Sequence, residues 1–223
     1  EGLFTPPSLV GSISWPGHNG GGNWNTSSVD PAKHRFFIVA KTLPTFDKLV
    51  LDTKPASLAA MPNGGGDVQP YKSNVDFMLQ KSNGLPGVNP PWSLITAYDM
   101  DSGKIIWQIP DGDVPQLKGQ GGPEWKGSVA PRGGPVATGG DLLFVGTSSD
   151  RMFRAYDQDN GKVLWEHQLD AATEGTPAVY DVGGTEYVVI AVGGDGLFAP
   201  KLGQTAPGPS QYVAFALPKA GGQ

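Results

Sequence analysis

The chain of 223 residues contains no cysteine, which excludes disulfide bonds, thiolate metal sites and cysteine nucleophiles. Charged residues are also scarce, at 17% of the sequence, and the formal net charge of −5 argues against a surface for nucleic acid or anionic membranes. The longest purely apolar run, from Tyr187 to Val192, is far too short to span a bilayer. The first residues show neither the basic nor the apolar segment of a signal peptide, so we expect a mature or excised piece of a longer chain.

Glycine and proline are abundant instead, with 33 and 21 copies. Both residue types form tight turns, so they suit a chain in which many turns join short strands. Short runs of alternating apolar and polar residues lie between them, and no segment repeats its apolar residues with the helical period. Composition and pattern together predict an ordered all-β fold.

One eleven-residue phrase occurs twice, as AYDMDSGKIIW at 97–107 and as AYDQDNGKVLW at 155–165, 58 residues further on. Each copy consists of two alternating strands around a glycine turn, which is among the strongest hairpin signals. Residues 135–168, which hold the second copy, show four such strands in succession. Four-stranded units that recur roughly every 50 to 60 residues, with a large aromatic at a fixed place, are typical of the blades of a β-propeller.

Three positions of the phrase have a structural interpretation. The alanine is small, the glycine allows the tight turn, and the tryptophan is the bulky counterpart of both. We expect each tryptophan to dock on the small residues and the turn of a neighbouring blade; the alternative is a pair of unrelated hairpins with similar turns. The six docking residues are Ala97, Gly103 and Trp107 in the first copy and Ala155, Gly161 and Trp165 in the second.

The strand pattern is interrupted at 53–91 and at 110–132, two stretches that we interpret as long surface excursions of a length typical of functional loops. The chain then holds one strand near 9–15, a blade split by the first excursion, the compact blade at 135–168, and three strands of another blade. These amount to about three blades, and a closed ring needs at least four. Either another polypeptide completes the ring, or the chain is a section of a longer one.

The phrase A-x-D-x-x-[TSN]-G-K-x-x-W resembles the tryptophan-docking motif of the eight-bladed quinoproteins that use pyrroloquinoline quinone (PQQ). The segments NPPWSLITAYDMDSGKIIWQIP, GGPVATGGDLLFVGTSSDRMFRAYD and TPAVYDVGGTEYVVIAVGG also look like the carboxy-terminal part of the membrane-bound glucose dehydrogenase branch, in the same order. The resemblance implies that residues 1–223 form about three blades of an eight-bladed ring.

The resemblance also implies an activity. In this family the central cavity holds PQQ and a calcium ion, and the cofactor accepts a hydride from an alcohol carbon. We therefore expect part of a periplasmic dehydrogenase that oxidises a sugar or cyclic polyol and passes electrons to ubiquinone, and an anchor to the inner membrane is compatible with the full-length protein. The alternative is a non-catalytic propeller, a scaffold or binding module that keeps the docking tryptophans.

Two short segments match places where the family lines its cavity. The GGNWN stretch corresponds to an Asn–Trp pair beside the quinone, which makes Asn23 and Trp24 the expected cofactor contacts, since an amide bonds to quinone oxygens and to the ring nitrogen. The AVGGDG stretch corresponds to a loop at the mouth of the active site, so Gly194 and Asp195 are expected to line the substrate site. Asp195 stands where glucose dehydrogenases often carry a histidine, and its alternative role is that of a turn residue.

The family's metal ligands and catalytic base come mainly from earlier blades, so we expect neither a catalytic residue nor a calcium ligand on this chain. The acidic turns DMDSG and DQDNG fail the spacing of a calcium loop, and the three scattered histidines show no spacing for zinc. We expect the chain alone to be inactive. We also expect its unpaired strand edges to associate with the missing blades or with a second copy.

Overall fold

The computed structural model describes residues 2–23, 27–52, 71–79, 85–119, 124–129, 131–194 and 208–216. These residues form β-strands and one short 3-10 turn at Pro115–Leu117, without an α-helix, which confirms the all-β prediction. No helix long and apolar enough to cross a membrane occurs in this part of the chain. The strands are β1 (Ser12–Ser14), β2 (Ser27–Asp30), β3 (Arg35–Lys41), β4 (Thr45–Leu51), β5 (Tyr71–Asp76), β6 (Ser93–Asp99), β7 (Ile105–Pro110), β8 (Val136–Ala137), β9 (Leu142–Gly146), β10 (Met152–Asp157), β11 (Val163–Gln168), β12 (Ala178–Val182), β13 (Thr185–Gly194) and β14 (Gly208–Ala216).

The chain divides into two compact units, and the first consists of Glu1–Asn19 and Leu43–Val88. Its one sheet has the strand order β1-β4-β5, with Ser12 of β1 opposite Asp47 of β4. β5 lies inside 53–91, where the sequence pattern shows no strand because four of the six residues of YKSNVD are polar. The interpretation of 53–91 as a surface excursion stays a prediction, and its described part includes this strand.

The second unit, Gly20–Thr42 with Asn89–Gln223, contains three antiparallel sheets. Their strand orders are β2-β3-β6-β7, β8-β9-β10-β11 and β12-β13-β14, and we name them the first, second and third blades. They correspond to the split blade, the compact blade and the three further strands that the sequence predicts. In the first blade β3 pairs with β6 as far as Lys41 opposite Ser93. The second and third strands of this blade are therefore neighbours in the sheet, although about 50 residues separate them in the sequence.

The two copies of the repeated phrase have the same strand pairing. Ala97 stands opposite Trp107 in the first blade, and Ala155 stands opposite Trp165 in the second. In both hairpins the register shifts directly after the alanine. A bulge of this kind bends the strand and increases its twist, so the two hairpins share an irregularity as well as a regular pattern.

The turns of the two hairpins also match. The N–H groups of Gly103 and Gly161, at φ of +69° and +72°, donate to the carbonyls of Asp99 at 2.8 Å and Asp157 at 2.9 Å. The carboxylates of the same two aspartates accept from the N–H two residues further on, at 2.9 and 2.7 Å. Asp99 and Asp157 therefore bond the local backbone, as turn aspartates do.

Apolar clusters join the blades. The cluster between the first and second blades consists of Phe37, Val39, Ile95, Ala97, Trp107, Leu143, Val145 and Tyr156. The cluster between the second and third blades consists of Phe144, Phe153, Ala155, Leu169, Ala171, Val188, Ile190 and Val192. A hydrogen bond also joins the first strands of two blades, because the N–H of Ala137 donates to the Ser28 hydroxyl at 3.0 Å.

We name as the leading end the end of the second unit at which the first strands β2, β8 and β12 begin. Since the strands within a blade alternate in direction, the second strands β3, β9 and β13 end there. The loops that enter the first strands and the loops that leave the second strands therefore meet at the leading end.

Candidate functional site

Trp107 docks on the second blade. Its side chain is buried, with the residue 9% exposed, and its indole N–H donates to the carbonyl of Gln158 at 2.8 Å. The ring lies over Gly161 so closely that a Cβ added there would stand 2.8 Å from Cε3. The indole therefore connects the outer strand of one blade to the turn of the next. This geometry supports the structural role predicted for Trp107.

Trp165 has the same place in its hairpin and different surroundings. It is 37% exposed and lies against Phe153, His167 and Phe215, with ring centroids 5.1–6.0 Å away. Phe215 belongs to β14, so Trp165 packs on the third blade through rings. The residues that follow β14, where a docking turn would stand, lie outside the described part of the chain.

The predicted cofactor and substrate residues fall at the leading end as far as they are described. Asn23 precedes β2 and is partly buried. Gly194 ends β13 at a φ of +70°, and its carbonyl accepts from the N–H of Ala172 at 3.4 Å. Trp24 and Asp195 lie outside the described residues, so their roles stay predictions.

Lys41 is the residue at this end that the sequence interpretation missed. It is 3% exposed, and its ammonium donates to the carbonyl of Pro131 at 3.2 Å. Its backbone N–H donates to the carbonyl of Gly21 at 3.0 Å, so Lys41 contacts the loop that holds Asn23. The signal was present, since the buried residues Phe37 and Val39 alternate along β3 and the alternation ends on Lys41.

Burial lowers the pKa of Lys41 below its usual range, the positive charge of Arg132 lowers it further, and the carboxylate of Glu174 opposes both. Arg132 and Glu174 stand in the loops that enter β8 and β12. Three side chains with charge, one from each blade, thus act on one another at the leading end. Two are cationic and one is anionic.

Glycines allow the loops at this end to approach one another. A Cβ added to Gly133 would stand 3.2 Å from the carbonyl oxygen of Gly175 and 3.5 Å from that of Gly146. These glycines come from the loops entering the first strands of two blades and from the end of β9. The loops that enter the second and third blades therefore pack backbone against backbone at the leading end.

A second group of polar side chains lies on the third and fourth strands of the second blade and on the turn before them. The Arg154 guanidinium donates to the Asp150 carboxylate at 2.7 Å and to Glu166 at 3.4 Å, and it stacks on the ring of Trp125 at 4.9 Å. Asp111 nearby is fully buried, and burial, with the charge of Asp150, raises its pKa from 3.8 to about 7. Because the Arg154 guanidinium already contacts two carboxylates and the Trp125 ring, we interpret this group as structural.

The same group orders the described part of the second predicted excursion, 110–132. The backbone N–H of Asp113 donates to Asp150 at 3.1 Å, and the N–H of Lys126 donates to Asp113 at 3.0 Å. A cavity of about 670 Å³ opens beside it, lined by residues of this stretch and of β10 and β11. The excursion is thus held by charged side chains of the second blade.

No group of three or more histidine, cysteine or acidic side chains suited to a metal occurs among the described residues. His18 in the first unit lies 3.5 Å from the Asp47 carboxylate, and His34 lies 3.0 Å from that of Asp101. Each of these imidazoles thus faces one carboxylate. The expectation that calcium is held elsewhere in the complete protein stays a prediction.

Residues 1–188 match the PQQ family, described as "Glucose/ethanol/alcohol dehydrogenase, beta-propeller domain". The chain belongs to this family. Among curated proteins it is similar to the glycerol dehydrogenase large subunit of Gluconobacter thailandicus, with 34% identity over 98% of the chain and 32% of that protein. It is also similar to the quinoprotein glucose dehydrogenase of Escherichia coli, at 33% identity over 98% of the chain and 28% of that protein. The quinate/shikimate dehydrogenase (quinone) of Acinetobacter baylyi matches at 32%, over 98% of the chain and 28% of that protein.

Solved structures agree on the fold. A quinohemoprotein alcohol dehydrogenase from Pseudomonas putida aligns with a TM-score of 0.61 at 21% identity, over 89% of this chain and 27% of its own. The enzyme of the same type from Comamonas testosteroni aligns with a TM-score of 0.59 at 22% identity, over 95% of this chain and 29% of its own. This chain of the PQQ family spans about a third or less of the length of its curated relatives, which agrees with about three blades of a longer propeller.

The leading end suits the cofactor that gives the PQQ family its name. PQQ is a planar quinone that carries several carboxylates, so it needs cations. The buried ammonium of Lys41 and the nearby charge of Arg132 provide positive charge. The partly buried amide of Asn23 adds a donor and an acceptor. The donors present therefore fit the group.

Proposed function

We propose that this chain is part of a PQQ-dependent dehydrogenase that oxidises a sugar or cyclic polyol. The observation that carries the proposal is the family match over residues 1–188. The names of the similar proteins, which include glucose, glycerol and quinate dehydrogenases, support the substrate class. Glucose, glycerol and quinate share a secondary alcohol, which is the group that such an enzyme would oxidise.

In this proposal the residues of the chain bind and orient the cofactor at the leading end. The Asn23 amide would offer the cofactor a hydrogen-bond donor and an acceptor, and Lys41 would offer it a positive charge. When bound, PQQ supplies the two-electron oxidation of the alcohol carbon. We propose that the base that removes the hydroxyl proton, and the calcium ligands, come from blades outside this chain.

We further propose that ubiquinone accepts the electrons and that the protein works in the periplasm. The name of the similar Acinetobacter baylyi protein states a quinone, which supports the first of these points. Both points concern the complete enzyme. Electron transfer to a ubiquinone analogue in membrane vesicles, measured with added PQQ, tests the first, and the compartment in which the expressed protein is found tests the second.

The activity is tested by adding PQQ and calcium to the purified full-length protein and following the reduction of an artificial electron acceptor. Glucose, glycerol and quinate are the substrates, and a preparation without PQQ is the control. We expect turnover of at least one substrate only when PQQ is present. A protein that binds PQQ without oxidising any polyol would instead support the alternative of a binding module, and the isolated chain of 223 residues should be inactive.

A further inference from the structure

Lys41 joins two blades at the leading end. Its backbone N–H donates to Gly21, in the loop entering β2, and its ammonium donates to Pro131, near the start of β8. The side chain thus runs from the end of β3 toward the loop of the neighbouring blade. The first of these loops also contains Asn23, and the second also contains Gly133.

The ammonium of Lys41 has more donors than partners. An ammonium carries three N–H donors, and in the described part of the chain it makes one hydrogen bond, to the carbonyl of Pro131. The residue is buried, and Arg132 adds a second positive charge that opposes its own. A buried cation with unused donors is costly, and an anionic ligand would relieve that cost.

The blade fold itself does not require a cation at this position. Phe37 stands opposite Ala97 in the first blade, as Phe144 stands opposite Ala155 in the second. Counting four residues on from each phenylalanine places Lys41 and Ser148 at equivalent positions. Both are buried, so a small neutral side chain fills the same place in the second blade.

We propose that Lys41 is a cofactor-binding residue whose ammonium donates to a carboxylate of PQQ, with Arg132 as the second positive charge. This inference rests on the proposed function. Arg132 is exposed, so its charge is available to a ligand at the surface of the loop. Among the described residues, the carboxylate of Glu174 is the one anionic group that acts on Lys41, against the positive charge of Arg132.

The test measures PQQ binding by equilibrium dialysis with the full-length protein, independently of turnover. Lys41→Met keeps the length and apolar stem of the side chain and removes the charge, so we expect PQQ affinity to fall roughly ten- to a hundredfold, the effect of one hydrogen bond to a charged group. Lys41→Arg keeps the charge and should recover part of the affinity. Lys104→Met, at an exposed lysine of the β6–β7 turn, is the matched control and should bind as the wild type does.

The pH dependence of PQQ affinity in the wild-type protein provides a second readout, which does not require the Lys41→Met variant to fold. Only the protonated lysine binds a carboxylate in this way, so wild-type affinity should decline as pH rises through the lowered pKa of Lys41. The charged groups that act on Lys41 are Arg132, which lowers its pKa, and Glu174, which opposes that effect. Lys41→Arg should show no such decline, because arginine stays protonated.

The outcomes separate this inference from the proposed function. A wild-type protein that does not bind PQQ at all would overturn both. A wild type that binds PQQ, together with a folded Lys41→Met variant of the same affinity, would overturn the role of Lys41 alone. A wild-type affinity that does not change with pH would do the same.

Discussion

The two hairpins that carry the repeated phrase have the same strand pairing, but their tryptophans lie in different surroundings. Both pair the alanine with the tryptophan and shift register after it, yet Trp107 is 9% exposed and Trp165 is 37% exposed. The difference arises outside the hairpin, because Trp107 has the turn at Gly161 to dock on. Local sequence thus determines the hairpin, and the neighbouring blade determines the burial of its tryptophan.

The positions at which the two blades differ are as informative as those they share. Four residues after the docking tryptophan, the first blade has Asp111 and the second has Leu169, both buried. One position before the alanine, the Gln108 amide of the first blade donates to the Thr96 hydroxyl at 2.8 Å. At the same position of the second blade, the Arg154 guanidinium donates to the Glu166 carboxylate. The shared positions build the blade, whereas at each differing position one blade has an ionisable side chain and the other does not.

The largest expected effect separates the two tryptophans. In this chain, Trp107→Ala removes a buried indole and its hydrogen bond to Gln158, so we expect the free energy of unfolding to fall by about 3–5 kcal/mol. Trp165→Ala should cost clearly less, because Trp165 is already partly exposed. Urea denaturation followed by circular dichroism measures both. Equal losses would mean that docking on the turn contributes nothing beyond the hairpin itself.

The two turn glycines provide a smaller and cleaner comparison. Gly103 and Gly161 have nearly the same positive φ, so alanine at either position should cost about 1–2 kcal/mol in backbone strain. Gly161→Ala should cost about 1–3 kcal/mol more, because its Cβ would collide with Trp107, whereas a Cβ at Gly103 meets nothing within 4 Å.

The difference in the melting temperature of the two glycine variants is the measurement. A double variant that combines Gly161→Ala with Trp107→Ala serves as the control, since the collision is absent when the indole is removed. If Gly103→Ala and Gly161→Ala melt together, the indole does not rest on the second blade in solution.

The last expected effect is a pH dependence of stability, and it concerns Asp111 and its counterpart Leu169. The pKa of Asp111 is raised from 3.8 to about 7 in the folded protein, so the folded state holds this proton more tightly than the unfolded chain. The stabilisation from the bound proton is therefore complete below about pH 4 and is lost as pH rises to about 7. Asp111→Asn, which is neutral throughout, should remove this part of the pH dependence and raise the melting temperature most at alkaline pH.

Thermal unfolding between acid and alkaline pH tests this expectation. Asp181→Asn is the control, because it makes the same substitution at an exposed residue of β12, whose carboxylate accepts from the N–H of Gly184. An Asp111→Asn protein with the wild-type profile would show that Asp111 is ionised in the folded state at neutral pH.

Much of the fold could be predicted because its signals are local. Alternation and turn glycines indicated the blades, and the repeat indicated that they form a propeller. β5 was missed because most of its residues are polar and only pairing with β4 makes them a strand. Lys41 continues the buried alternation of Phe37 and Val39 along β3, but it was missed because a lysine at the end of a strand suggests exit to solvent and its burial depends on the loop of another blade.

The candidate site was predictable only in part, for a related reason. Asn23 and Gly194 are site predictions that rest on resemblance, and the strand directions bring both to the leading end. The group of Asp111, Asp150 and Arg154 has no linear signature, because its members come from a loop, a turn and a strand. Charges assembled by topology from distant segments are not visible as a motif.

We propose that the leading end of this chain holds part of a PQQ site, and quinone binding tests this proposal most directly. Dialysis of the full-length protein against PQQ should show saturable binding, and Asn23→Ala should weaken that binding while leaving the circular dichroism spectrum and melting temperature unchanged. We expect this result because Asn23 stands at the leading end, outside the strands and clusters that join the blades. Absence of saturable PQQ binding to the wild type, or an Asn23→Ala variant with unaltered affinity, would contradict it.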